Sequence, residues 1–241
     1  MKSKRRSISY FIDPIMHLAL SFIGLAVLVT LVFSPSSVQS SVPWSKPLLG
    51  LVFGLICVSG IAAGLFPARC SETLFTKEKT RTSHASKHAA SGFLGHHPAC
   101  GSFGAHVFRL KEKVYCAGCV GLILGGLFSI FGVVFYFFLG TIQCLDWLPV
   151  FLVGLAGTST GLLQYHLFNL GKASIHLFVN TIFVVGVFLI LMAVDAMTHN
   201  IILDCYVIVL SLFWLYVRIH LSEYDHHRIC SRCHRTPCGF V

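Results

Sequence analysis

The chain has 241 residues, of which 55% are hydrophobic and only 11% charged, with a mean hydropathy of +0.78. A soluble domain carries charge on about a quarter of its residues, so the composition excludes one and points to a membrane protein. A net charge of +9, ten cysteines and thirteen histidines then need explaining, since burial in lipid does not account for them.

Four basic residues, Lys2, Lys4, Arg5 and Arg6, precede the first apolar run, Pro14–Phe33. That run is longer than the 7–15 apolar residues typical of a signal peptide, and we read it as a retained anchor. Further runs of the roughly 20 residues needed to cross a hydrocarbon core about 30 Å thick are Pro47–Phe66, Val120–Leu139, Trp147–Phe168, Ile175–Val194 and Ile201–Ile219. Within the six runs, Lys and Arg are represented only by Arg218, at the end of the last. The expected fold class is all-α, a six-helix transmembrane bundle with a small cytoplasmic Cys/His metal-binding cap. Four glycine pairs, Gly50/Gly54, Gly60/Gly64, Gly121/Gly125 and Gly157/Gly161, have the spacing that lets spans approach closely. No internal repeat supports an inverted-repeat transporter.

Lys and Arg near span ends collect on the cytoplasmic side. Counted on alternate sides, the N-terminal tail holds four, segment 67–119 eight, loop 169–174 one and the C-terminal end four, leaving Lys46 alone opposite. Both termini are therefore expected in the cytoplasm, in an integral cell-membrane protein. The charge reads as topology, and no basic patch with stacking aromatics suggests nucleic acid. The expected partners are the bilayer and other membrane subunits. The chain divides into 1–66, the tail with spans one and two; 67–119, a cytoplasmic linker and first Cys/His segment; 120–219, spans three to six; and 220–241, a Cys/His tail.

Cytoplasmic thiols stay reduced, which favours metal binding over a disulfide framework. His97-x2-Cys100 is followed, after fifteen residues, by Cys116-x2-Cys119; a two-residue gap places a ligand pair on one turn, and two such pairs close a tetrahedral site. His96 and His106 are alternative ligands or flanking groups. The tail offers Cys230, Cys233 and Cys238 with His226, His227 or His234, and His234 is our choice for the fourth ligand. The spacing allows two separate sites or one shared four-thiolate site of Cys116, Cys119, Cys230 and Cys233; we take two. Zinc suits such closed sites, whereas a four-thiolate site also admits iron. Cys230-Ser-Arg-Cys233-His234 matches a c-type haem attachment motif, but that haem is attached outside the cytoplasm.

The stretch from His97-Pro-Ala-Cys100-Gly-Ser-Phe103 to Cys116-Ala-Gly-Cys119-Val-Gly121, which opens a span, resembles the predicted membrane proteins of domain-of-unknown-function family 2085. The likeness covers about thirty residues. The family usually has Cys-His near the start and Arg inside the second pair, where this chain has His96-His97 and Gly118. The resemblance implies a small polytopic protein and supplies no reaction.

Ionisable residues at membrane depth are functional candidates. His17, His166, His176 and His220 fall near the cytoplasmic ends of four spans, and Asp146, Asp195, Asp204 and His199 at the outer side. Gln164, Asn180 and Thr181 read as interhelical glue. No phosphate loop, nucleophile elbow or zinc-protease motif is present. The function expected is a non-catalytic structural or interaction module, an accessory subunit of a membrane complex with zinc-type sites. Membrane electron transfer with iron or haem, and metal-ion transport, are the alternatives.

Overall fold

The structure is a computed structural model. It describes residues 2–34, 44–65, 93–94, 103–111, 113–142, 146–167 and 172–231, with side chains for all of these except 2–13, 93–94, 113, 165–167, 226–227 and 230–231.

Without water to satisfy backbone N–H and C=O groups, an apolar segment must satisfy them within itself, as a helix does. The described chain is accordingly mostly helical: α1 (Lys2–Val32), α2 (Ser45–Leu65), α3 (Ala117–Val133), α4 (Leu148–Leu167), α5 (Ala173–Thr198) and α6 (Ile201–Ser231). Five are long and apolar enough to cross a membrane, and the fully described part of α4, Leu148–Gln164, is a shorter apolar helix. Helix α5 is the most deeply buried and packs against α3, α4 and α6, while α2 lies on α3 and α1 on α6. Phe53, Phe151, Leu162, Ile190, Val207 and Trp214 fill the interior. Large apolar residues such as Leu55, Phe131, Phe178 and Val209 face outward, where lipid rather than water is the compatible solvent.

The glycine pairs divide. A Cβ on Gly121 would stand 2.5 Å from the Leu177 carbonyl oxygen, and one on Gly125 2.9 Å from that of Thr181, so α3 lies backbone to backbone on α5. Gly157 brings α4 close to the α5 backbone at Ile182 and Gly186, and Gly161 makes room for the Phe183 side chain. Of the other two pairs only one member each is closely packed, Gly50 against Phe137 and Gly64 against Ile123; Gly54 faces open space.

Three features differ from the expectations. Helix α6 continues to Ser231, twelve residues past the apolar run, because a helix needs no apolar surface once it leaves the bilayer. The segment before α3 contains a sheet of order β1-β3-β2: β1 (Phe93–Leu94) runs parallel to β3 (Lys113–Cys116), and β2 (Val107–Leu110) pairs antiparallel with β3 in the register Val107↔Cys116. Lys111, in the connection of this hairpin, has φ 56, the left-handed geometry that tight hairpin turns require. Finally, α3 runs into a π turn over Val134–Phe138, with Leu139 N–H donating to Val134 O at 3.0 Å.

Candidate functional site

Cys116 is both the last residue of β3 and the residue that caps α3 with extended backbone (φ −75, ψ 121). The strand hands it to the helix fully buried, and Cys119 follows half-buried in the first turn. A Cβ on Gly118 between them would lie 3.9 Å from Cys116 Sγ and 3.8 Å from Asn180 Nδ2. The Cys-x-x-Cys turn therefore sits directly on α5, at its polar end.

That polar end is a connected cluster. Arg218 of α6 is buried, donating through Nη1 to Gly161 O at 2.6 Å and through Nη2 to Gln164 Oε1 at 2.8 Å and to Asn180 Oδ1. Its guanidinium also lies over the Phe183 ring, 5.4 Å from the centroid. Asn180 Nδ2 donates to His176 O at 2.6 Å. Gln164 Nε2 lies 2.5 Å from His176 Nδ1. The guanidinium can only donate, so Gln164 presents its oxygen to Arg218 and its NH2 to His176; Nδ1 of His176 accepts, and the ring proton stands on Nε2.

The segment before the hairpin closes over this cluster. Phe103 is buried, and the 3-10 turn Gly104–His106 stacks the His106 ring on His176, centroids 4.4 Å apart at 29°. His106 Nε2 stands 3.7 Å from Asp225 Oδ2, and Arg228 Nη2 3.5 Å from Asp225 Oδ1. The hairpin segment thus packs on α5, and the extension of α6 beyond the apolar run reaches it through Asp225. Asp225→Ala is expected to loosen that contact, with trypsin cutting after the exposed Arg109 and Lys111 several-fold faster while the transmembrane helices stay protected.

Of the eight residues chosen as metal ligands, Cys116 and Cys119 are described, at the junction of β3 and α3. His97, Cys100, Cys233, His234 and Cys238 lie outside the described residues, as does the side chain of Cys230, whose backbone is in α6. Among the described residues no three His, Cys, Asp or Glu side chains form a metal-holding group. The described imidazoles at this end form two pairs. His176 stacks on His106, and His17 of α1 lies 5.2 Å from His220 of α6, both against Tyr216; the side chain of His166 lies outside the described residues.

At the opposite end, Asp195 accepts from Tyr136 OH at 2.6 Å and pairs with Lys46 at 3.3 Å; Lys46 also lies over the Tyr136 ring. The π turn carries Tyr136, so the one irregular stretch of α3 serves this contact. Asp204 is buried nearby. Asp146 instead accepts from Leu148 N–H at the start of α4, and His199 is an exposed left-handed residue ending α5. The polar group at this end is thus two buried carboxylates with one lysine.

Arg218, the one basic residue within the apolar runs, points into the bundle, a role that a count of charges at span ends does not reveal. Its signal was present in the spacing Asp204, Ser211, Arg218, Asp225, seven residues apart on one helix and all buried.

The class that this fold defines is a helical membrane protein with a polar cluster under a Cys-x-x-Cys hairpin. No family model matches the chain, and neither does any curated protein or solved structure.

Proposed function

We propose that the chain is a six-span membrane protein with both termini cytoplasmic, whose Cys/His cap binds zinc and closes the cytoplasmic end of the bundle, and that it acts as a structural or interaction module in a larger membrane assembly. The observation that carries this reading is the setting of Cys116 and Cys119: a strand and a helix end hold both thiols at one junction, against the bundle, and the hairpin segment, packed on α5, meets α6 at Asp225, five residues ahead of Cys230. On this reading His97 and Cys100 complete the first site, and Cys230, Cys233, His234 and Cys238 form the second. Metal supplies cohesion that segments so short cannot draw from a core of their own. α4, with its twenty apolar-rich residues, is the sixth span. Orientation rests on the basic residues, with Lys46 at the opposite end of the bundle from Arg109, Lys111 and Arg228. The likeness to family 2085 supports the placing of the first cysteine pair at a span entrance.

Elemental analysis of the purified protein tests the proposal. Two zinc equivalents are expected, with Cys116→Ser and Cys230→Ser each losing a different one. Loss of the same single equivalent in both variants would make the site shared, and a metal-free wild-type protein would overturn the reading.

A further inference from the structure

The second imidazole pair involves none of the residues assigned to the cap. His17 of α1 and His220 of α6 face each other across the seam between the two helices, their ring centroids 5.2 Å apart and their planes inclined at 56°. Tyr216, one turn before His220, stacks parallel to it at 6.0 Å and 7°, and its ring meets His17 at 5.6 Å. Both imidazoles are half-buried and Tyr216 is 50% exposed, so the three rings line an open edge of the bundle. His220 directly follows the last apolar run, which puts this edge at the membrane boundary, within reach of water and the ions dissolved in it.

An ion bonded to two imidazole nitrogens lies about 3.2 Å from each ring centre, so a tetrahedral angle sets the centres about 5.2 Å apart and a linear, haem-type arrangement about 6.4 Å. The spacing of His17 and His220 matches the first and is too short for a porphyrin between the rings. Their inclination sets them apart from His106 and His176, which stack at 4.4 Å and 29° with Nδ1 of His176 already facing Gln164. Stacking on Tyr216 fixes the plane of the His220 ring, as the groups around a ligating histidine do. The seam itself is held by helix packing: α1 lies chiefly on α6, and Tyr206 Oη of α6 donates to Gly24 O of α1 at 3.2 Å farther along the same contact.

We propose that His17 and His220 bind one late first-row divalent ion, of the zinc, cobalt or copper class, which ties α1 to α6. Imidazole nitrogen favours these ions, whereas magnesium and calcium take oxygen ligands. Two protein ligands leave the remaining positions to water or to the Tyr216 hydroxyl, so this ion is exchangeable, unlike one enclosed by four protein ligands. An ion that binds only when both helices are in place favours their contact by mass action, and α1 has few other contacts to hold it. The site shares no ligand with the cap and stands whether or not the cap holds zinc.

The test is equilibrium dialysis of full-length, tag-free protein in detergent against cobalt, with excess magnesium present and the thermal midpoint recorded alongside. One cobalt per chain is expected beyond the metal retained through purification, without the near-ultraviolet thiolate band that cobalt in the cap would give, and the midpoint should rise as it binds. His17→Ala and His220→Ala should each weaken this binding by more than about tenfold and abolish the rise, while Tyr216→Phe and Cys116→Ser keep the extra ion. Should an alanine variant fail to fold, His220→Gln gives the same readout. A wild-type protein that takes up no cobalt, unchanged binding in folded histidine variants, or a signal that carries the thiolate band and is lost with Cys116→Ser would each overturn the site. Protein purified without zinc that still takes up cobalt through the two histidines would overturn the cap and support this site.

Discussion

Replacing Arg218 by leucine is expected to lower the unfolding free energy in mild detergent by about 2–5 kcal/mol. The substitution removes the donor from Gly161 O, Gln164 Oε1 and Asn180 Oδ1, and each buried acceptor left unsatisfied costs about 1–3 kcal/mol. Asn180 Nδ2, 3.4 Å from Gln164 Oε1, can recover one of the three. Arg218→Lys should recover little, because a single ammonium cannot reach acceptors on two helices as the guanidinium fork does. Gln164→Leu should be comparably destabilising, since it leaves the charge in place with one acceptor fewer, and the double variant Arg218→Leu/Gln164→Leu should cost less than the sum of the two. Additive losses in that cycle would mean that the two residues do not act as one cluster.

The second large effect is expected at Gly121. A valine there would drive a Cβ to 2.5 Å from the Leu177 carbonyl and 2.8 Å from Asn180 Cβ. Backbone cannot yield as a side-chain tip can, so α3 must move off α5. That also strains the bond from Thr181 Oγ1 to Gly121 O, now 3.2 Å. Overpacking of this kind costs about 1–3 kcal/mol, and because Cys116 and Cys119 sit one turn away, the Cys116 thiol should react with maleimide faster than in wild type. Gly54→Val, placed where no atom lies within 4 Å, should leave both stability and thiol reactivity near wild type. Equal effects at the two glycines would contradict the close α3–α5 contact.

The positions of the helices were legible because hydropathy reports what the bilayer demands of a segment. Their ends were less so: hydropathy ends at Ile219, whereas the hydrogen bonding of α6 runs through a polar sequence to Ser231. The hairpin was hidden for a related reason. Val107-Phe-Arg-Leu and Lys113-Val-Tyr-Cys have strand-forming residues, but the cysteine spacing drew the reading toward ligand turns. Cys116 serves both descriptions, ending a strand and opening a helix. The pairing of His106 with His176 and Asp225 was beyond reach, since it joins residues up to 119 positions apart through a docking that no local pattern encodes. Gln164 and Asn180 were correctly taken as interhelical contacts, and what the spacing did not reveal was the charged residue they hold. The carboxylates at the end opposite the cysteines were legible as polar residues, and only burial separates Asp195 and Asp204 from Asp146.

Metal removal bears most directly on the proposed cap. Purified protein treated with a strong chelator should unfold at a lower temperature, expose Cys116 to thiol reagents and regain both properties when zinc is restored, because metal bound only by the folded cap contributes its binding energy to folding. An unchanged melting temperature, with Cys116 equally protected before and after chelation, would contradict a metal-held cap.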